Sequence, residues 1–147
     1  MNTRETINYM LVHLFNEIWE LEEKAIITEA FKDISNNDMH IIEAIGPEEG
    51  NNMSTIAKKL NITVGSLTTA MNGLVNKKYV TRERSEVDRR VVYIQLTDKG
   101  KKAFRHHAQF HEKMTEAVIE RLEKEELEVL IKSLDSLADF FHGFKED

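Results

Sequence analysis

Two apolar seams, one towards each end of the chain, restrict this sequence more than any other feature. Ile7, Leu11, Leu14, Ile18, Leu21 and Ala25 recur at spacings of four and three, and Leu127, Leu130, Leu134, Leu137, Phe141 and Phe144 repeat the pattern. Such spacing keeps the side chains on one stripe of an α-helix, the stripe by which helices pack on helices. The first seam predicts one long helix over residues 3–27. Met10, Phe15, Trp19, Ile131 and Phe140 add further large apolar groups beside the seams. This is more apolar surface than a small central domain covers, and it points to a helical dimer interface. Packing of both helices on their own monomer is the competing reading.

A chain of 147 residues with one proline, six glycines and 31% charged residues fits one globular domain. At this length a fold buries roughly 70% of the surface of the extended chain, so a core forms without disulfides or structural zinc. The absence of cysteine excludes thiol catalysis and thiolate metal sites, and it suits a reducing compartment. No apolar run approaches a membrane span, and the opening Met1–Glu5 is too polar for a signal peptide. The expectation is a cytoplasmic protein with no membrane partner.

Between the seams the signals are short and ordered. Ser35 with Asp38 forms a capping-box pattern for a helix to about Ala44, ended by Gly46-Pro47, with a polar loop at Glu48–Asn52. Ser54 is placed to cap a short helix burying Ile56, Ala57 and Leu60. Asn61–Thr63 then turns into a helix over 64–77, a helix-turn-helix arrangement. Tyr79–Arg84 and Val91–Leu96, separated by the polar Ser85–Arg90, read as a two-stranded hairpin, or wing. Thr97 caps a helix reaching about Leu122. The expected fold is therefore mainly α with a small β-hairpin: a winged helix-turn-helix lobe over 33–100, with long dimerisation helices in 1–32 and 101–147.

The net charge of −6 conceals an asymmetry. Residues 54–103 hold eleven Lys or Arg against four acids, a local balance of +7, which leaves −13 for the remainder. A polyanion responds to the field within about 10 Å at ordinary salt, so a basic module on an acidic body is compatible with nucleic acid. On the helix over 64–77, Val64, Leu67, Met71, Leu74 and Val75 share one arc. Gly65, Ser66, Thr69, Asn72, Gly73 and Asn76 lie opposite, with Thr68 at the edge. Short hydroxyl and amide groups suit a helix that must approach base edges, and Asn can pair in a bidentate way with adenine. Arg82, Arg84, Arg89 and Arg90 gather on the hairpin, where arginine suits a narrow minor groove. Asp88 beside them is expected to hold a neighbouring guanidinium in a fixed direction. The candidate DNA-binding residues are Ser54, Ser66, Thr68, Thr69, Asn72, Lys77, Arg82, Arg84, Asp88, Arg89 and Arg90.

The helix order, the wing, and the string Asp88-Arg89-Arg90 followed by Leu96-Thr97-Asp98-Lys99-Gly100 resemble the multiple-antibiotic-resistance regulator (MarR) family along the whole chain. The resemblance implies a homodimeric repressor on a near-palindromic operator of double-stranded DNA. Recognition helices would lie in major grooves and wings in minor grooves, with Arg90 at the family's Asp-x-Arg position. Phe31–Ser35 with Met39-His40, Thr63–Leu74 and Arg84–Arg90 are similar to the fatty-acid-biosynthesis repressors of that family. That subgroup implies acyl chains, delivered on acyl carrier protein or coenzyme A, as effectors, with no obligatory cofactor. Ile26, Ile27, Phe31, Phe104 and Phe110 are candidates to line an acyl site, although ordinary core packing also accounts for them.

His107 and His111 stand four apart on one helix, a geometry suited to zinc. His40 and either Glu22 or Glu23, with Glu23 preferred, complete an alternative zinc-responsive set that the family resemblance also accommodates. Without metal the histidines are neutral core groups or pH-sensitive elements. The sequence carries no nucleophile elbow or phosphate loop, so an enzyme is not expected.

Overall fold

The computed structural model describes residues 1–26, 28, 30–48 and 50–146. They form two compact units, Met1–Phe110 and His111–Asp147. The first unit opens with a capping box, in which Asn2 accepts from the Glu5 amide at 2.9 Å and the Glu5 carboxylate accepts from the Asn2 amide at 3.0 Å. The expected long helix follows as α1 (Thr3–Tyr9), a π-helical segment (Met10–Leu14) and α2 (Phe15–Ile26). Ser35 and Asp38 make the second box, starting α3 (Asn36–Ile45), which stops at Gly46 with φ +69°.

The segment read as a polar loop contains a strand. In β1, Asn51 and Asn52 pair antiparallel with β3 (Val92–Leu96), which also pairs with β2 (Val80–Arg84), giving a three-stranded sheet in the order β1-β3-β2. Two asparagines carry no strand signal of their own; the open edge of the wing supplies their partners. Asn52 also displaces Ser54 as the cap of α4 (Met53–Leu60), its side chain accepting from the Thr55 amide at 2.8 Å. Ser54 therefore sits inside the first turn. Asn61 makes the left-handed turn residue with φ +55°, and Thr63 caps α5 (Val64–Asn76) as expected.

Ile42, Ile56, Leu67, Met71, Leu74 and Ile94 are each fully buried in one core. Each such side chain contributes roughly 1.5–3 kcal/mol. Phe31 and Phe104 pack with this core. Val64, placed by periodicity in the apolar arc, is 44% exposed, because it begins α5 a turn before the buried Leu67.

The end of α5, the start of β2 and the start of α6 (Asp98–Arg121) meet around Tyr79. Thr97 donates its amide to Tyr79 O at 3.0 Å and its hydroxyl to Lys78 O at 2.6 Å. A Cβ on Gly100 would come within 2.1 Å of Tyr79 O, so the glycine of the Leu-Thr-x-x-Gly string is fixed by a backbone contact. The buried Tyr79 donates its hydroxyl to Asp33 at 2.5 Å, and Lys99 stands 4.3 Å over its ring and 3.5 Å from Asp33.

The second unit contains the end of α6 and α7 (Lys124–Glu146), introduced by the Glu126 carboxylate accepting from the Glu123 amide at 2.9 Å. Ile131, Leu134, Leu137, Phe140, Phe141 and Phe144 are exposed on α7, and Ile7, Leu11 and Leu14 on the first helical run. Among the described residues no helix is long and apolar enough to cross a membrane.

Gly100→Ala presses a methyl group into backbone and is expected to cost about 1–3 kcal/mol in thermal or urea unfolding. The Tyr79 hydrogen bond, helped by Lys99, holds the Asp33 carboxyl below its ordinary value despite partial burial. A depressed carboxylate stabilises the fold fully above its unfolded pKa of 3.8 and loses that contribution as pH falls through its folded value. Asp33→Asn should therefore lower Tm at neutral pH, with the gap to wild type closing in the acid range. A gap independent of pH would contradict the carboxylate's role.

Candidate nucleic-acid interface

The polar face of α5 is built outward from its cap. Thr63 Oγ1 accepts from the Ser66 amide at 3.1 Å and donates to Ser66 Oγ at 2.9 Å, which holds the first turn. Thr68 turns its hydroxyl back onto Val64 O at 2.8 Å, so that hydroxyl is engaged within the helix. Ser66, Thr68, Thr69 and Asn72 are all exposed. A Cβ at Gly73 would meet nothing within 4 Å, so packing within the chain does not demand glycine there.

The wing meets this face. Arg82, Arg84 and Arg90 join Ser54, Val64 and Thr68 around a groove of about 570 Å³ between the sheet and the helix-turn-helix. Arg82 Nη1 donates to Asn72 Oδ1 at 2.6 Å, a direct tie between wing and α5. Asp88 performs the work expected of it. Its Oδ1 accepts from Arg90 Nε and from the Arg90 amide, and its Oδ2 accepts from Arg90 Nη2, each at 3.1 Å. These bonds, the side-chain fork first, hold the Asp88 carboxyl below its ordinary value. The Arg90 side chain remains 91% exposed, so it is aimed without being covered. Arg89 is exposed at the tip of the wing. Lys77, also among the expected residues, has its ammonium 3.3 Å from Asp38, where it joins the end of α5 to α3.

The metal-ligand candidates fall elsewhere. Glu23 is exposed, and the neighbouring Glu22, 5% exposed, takes the inward position. The sequence held the signal: Glu22 lies four residues after Ile18 and four before Ile26, beside the seam, whereas Glu23 is turned a further 100° away. His107 Nε2 stands 2.6 Å from Glu22 Oε1, and its Nδ1 stands 3.4 Å from Glu43 Oε2, a neighbour that sequence reasoning did not supply. With Glu22 ionised, Nε2 is the donor. His40 stacks on Trp19 with centroids 5.6 Å apart and sets its ring edge-on to His107 at 5.8 Å, so it does face the buried histidine. Its Nε2 is buried, 3.6 Å from Glu22, with no hydrogen-bond partner among the described residues. His111 follows one turn along α6, at the start of the second unit.

Of the acyl-site candidates, Phe31 and Phe104 belong to the core and Phe110 is half-buried. Ile26 is fully buried. Ile27 lies outside the described residues.

A family model described as transcriptional regulator SarA/Rot matches residues 24–107. Among curated proteins, an uncharacterized HTH-type transcriptional regulator, YpoP of Bacillus subtilis (strain 168), is 27% identical over 123 residues, covering 84% of this chain and 85% of that one. Among solved structures, Streptococcus pneumoniae FabT in complex with DNA is 39% identical, with a TM-score of 0.90 over 96% of this chain and 99% of that one. The S. aureus MepR–DNA complex, 22% identical, shares the fold with a TM-score of 0.73 over 96% and 99% of the two chains.

Removing an acid beside a polyanion strengthens binding if charge alone matters. Because Asp88 aims Arg90, Asp88→Ala is instead expected to weaken duplex binding by about fivefold. Tighter binding in a fluorescence-anisotropy titration would reduce Asp88 to a bystander.

Proposed function

We propose, for a chain that belongs to the SarA/Rot family of transcriptional regulators, that it represses transcription by binding duplex DNA as a homodimer, without catalytic chemistry. The observation that carries this reading is the groove in which Arg82, Arg84 and Arg90 stand beside Thr68 of α5, with Arg82 bonded to Asn72 on the polar face of the same helix. Donors that bind phosphate and short side chains that reach bases stand side by side there, as positioning and readout require. The exposed apolar faces of α7 and of the first helical run support the dimer. Two copies would present their recognition helices to half-sites about one helical turn apart.

Fatty-acid synthesis is the proposed regulon. Its support is the similarity to FabT and the three stretches, 31–35 with 39–40, 63–74 and 84–90, that carry the subgroup resemblance. An acyl chain on a carrier protein or coenzyme A would act by favouring one spacing of the two DNA-binding lobes. A ligand that prefers the operator-compatible spacing strengthens binding, and one that prefers another spacing releases it.

One observation favours a second effector. The buried His40 Nε2 lacks a hydrogen-bond partner beside Glu22 and His107, and one carboxylate with two imidazoles is a donor set that zinc accepts. Zinc would be held first by Glu22 and His107, which already stand 2.6 Å apart, with His40 Nε2 beside them at 3.6 Å from Glu22.

Arg90→Ala should weaken operator binding at least tenfold while size-exclusion chromatography still reports a dimer; unchanged affinity would remove the wing from the mechanism. Native mass spectrometry with metal analysis then separates the effectors. Stoichiometric zinc, lost in His107→Ala, selects the metal. Operator binding that depends on added acyl thioester in chelated buffer selects the lipid.

A further inference from the structure

The Arg82–Asn72 contact bears on which base α5 reads. Arg82 stands on β2, opposite Ile94 in the ladder, and its Nη1 reaches Asn72 Oδ1 at 2.6 Å across the space between wing and α5. A guanidinium carries N–H donors and no acceptor, whereas a carboxamide has an acceptor at one end and two N–H groups at the other. A flipped Asn72 amide would set donor against donor. The arginine therefore fixes the polarity of the amide by chemistry alone. Oδ1 faces the wing, and Nδ2, which makes no hydrogen bond among the described residues, is the end left to act.

We propose that Arg82 is a positioning residue for sequence readout: by holding Oδ1, it makes Asn72 present its Nδ2 donors to the major groove. The inference rests on the DNA-binding reading above and deepens it. In the major groove guanine offers N7 and O6 as acceptors, adenine offers N7 and thymine offers O4. Cytosine offers only its N4 donor. An amide locked in this polarity tolerates any base with an acceptor and rejects cytosine, where donor would again meet donor. An unlocked amide turns over and accepts from cytosine N4. The wing thus influences a base it does not itself contact. Asn72 Oδ1 keeps a second lone pair, so adenine remains admissible beside Arg82.

The test selects bound duplexes from a library with a randomised core, using wild type, Asn72→Ala, Arg82→Met and the double variant, and sequences the bound fraction. Wild type should deplete cytosine about tenfold at one position of each half-site. Asn72→Ala should flatten that position alone. Arg82→Met, which keeps the bulk of the side chain and loses every donor, should readmit cytosine there and leave preferences elsewhere intact, and the double variant should match Asn72→Ala. Arg82→Gln, which can donate or accept, should also readmit cytosine; it serves as the readout if the methionine variant binds too weakly to be sequenced. A loss of affinity in Arg82→Met and Arg82→Gln that is uniform across sequences, with cytosine still rejected, would make Arg82 a phosphate contact only and overturn the proposal. Wild type that retains no duplex at all would overturn the DNA-binding reading together with it.

Discussion

The arrangement of the first unit depends on what happens at one peptide group. Tyr79 O accepts from the Thr97 amide, Gly100 is pressed against it with no room for a side chain, and Lys78, at φ +68°, reverses the chain just before it. α5, the wing and α6 are thereby fastened together within a few residues. The phenol extends the junction to Asp33, so the segment ahead of α3 is tied to the same point. A buried tyrosine hydroxyl without a partner would cost about 1–3 kcal/mol; with Asp33 as acceptor it becomes a specific tie.

This rigidity matters because the functional surface is electrostatically uncomfortable. Arg82, Arg84 and Arg90 line one groove, and their mutual repulsion is unfavourable until a polyanion arrives. The chain relieves and directs it with two short polar contacts, Asp88 to Arg90 and Asn72 to Arg82. Both act at hydrogen-bond range and fix direction more than they reduce net charge. A surface of this kind is prepared for its partner, so less side-chain freedom is lost on binding.

Much of this was legible in the sequence because its causes are local. The Ser35 and Thr63 caps, the small polar face of α5, the hairpin and the pairing of Asp88 with an arginine follow from neighbours within a few positions. What the sequence hid is non-local. β1 at Asn51–Asn52 exists because the edge of β3 is open, and Ser54 lost its capping role to Asn52 at that same strand. Glu22 replaced Glu23, and Glu43 joined His107, because α2, α3 and α6 converge there. Lys77, one more cation in a basic stretch, is directed by Asp38, which lies 39 residues earlier. The necessity of Gly100 in the Leu-Thr-x-x-Gly string became physical only when Tyr79 O was placed against it.

If the DNA-binding reading holds, a chain of net charge −6 grips duplex DNA through one concentrated basic surface. Salt dependence is the sharpest probe of that surface. Each phosphate neutralised adds about −0.9 to the slope of log K against log[salt]. Wild type should show a steep negative slope, reduced by roughly three contacts when Arg84, Arg89 and Arg90 are all changed to alanine. A slope near zero, or one that the triple substitution leaves unaltered, would place binding on some other surface or deny it altogether.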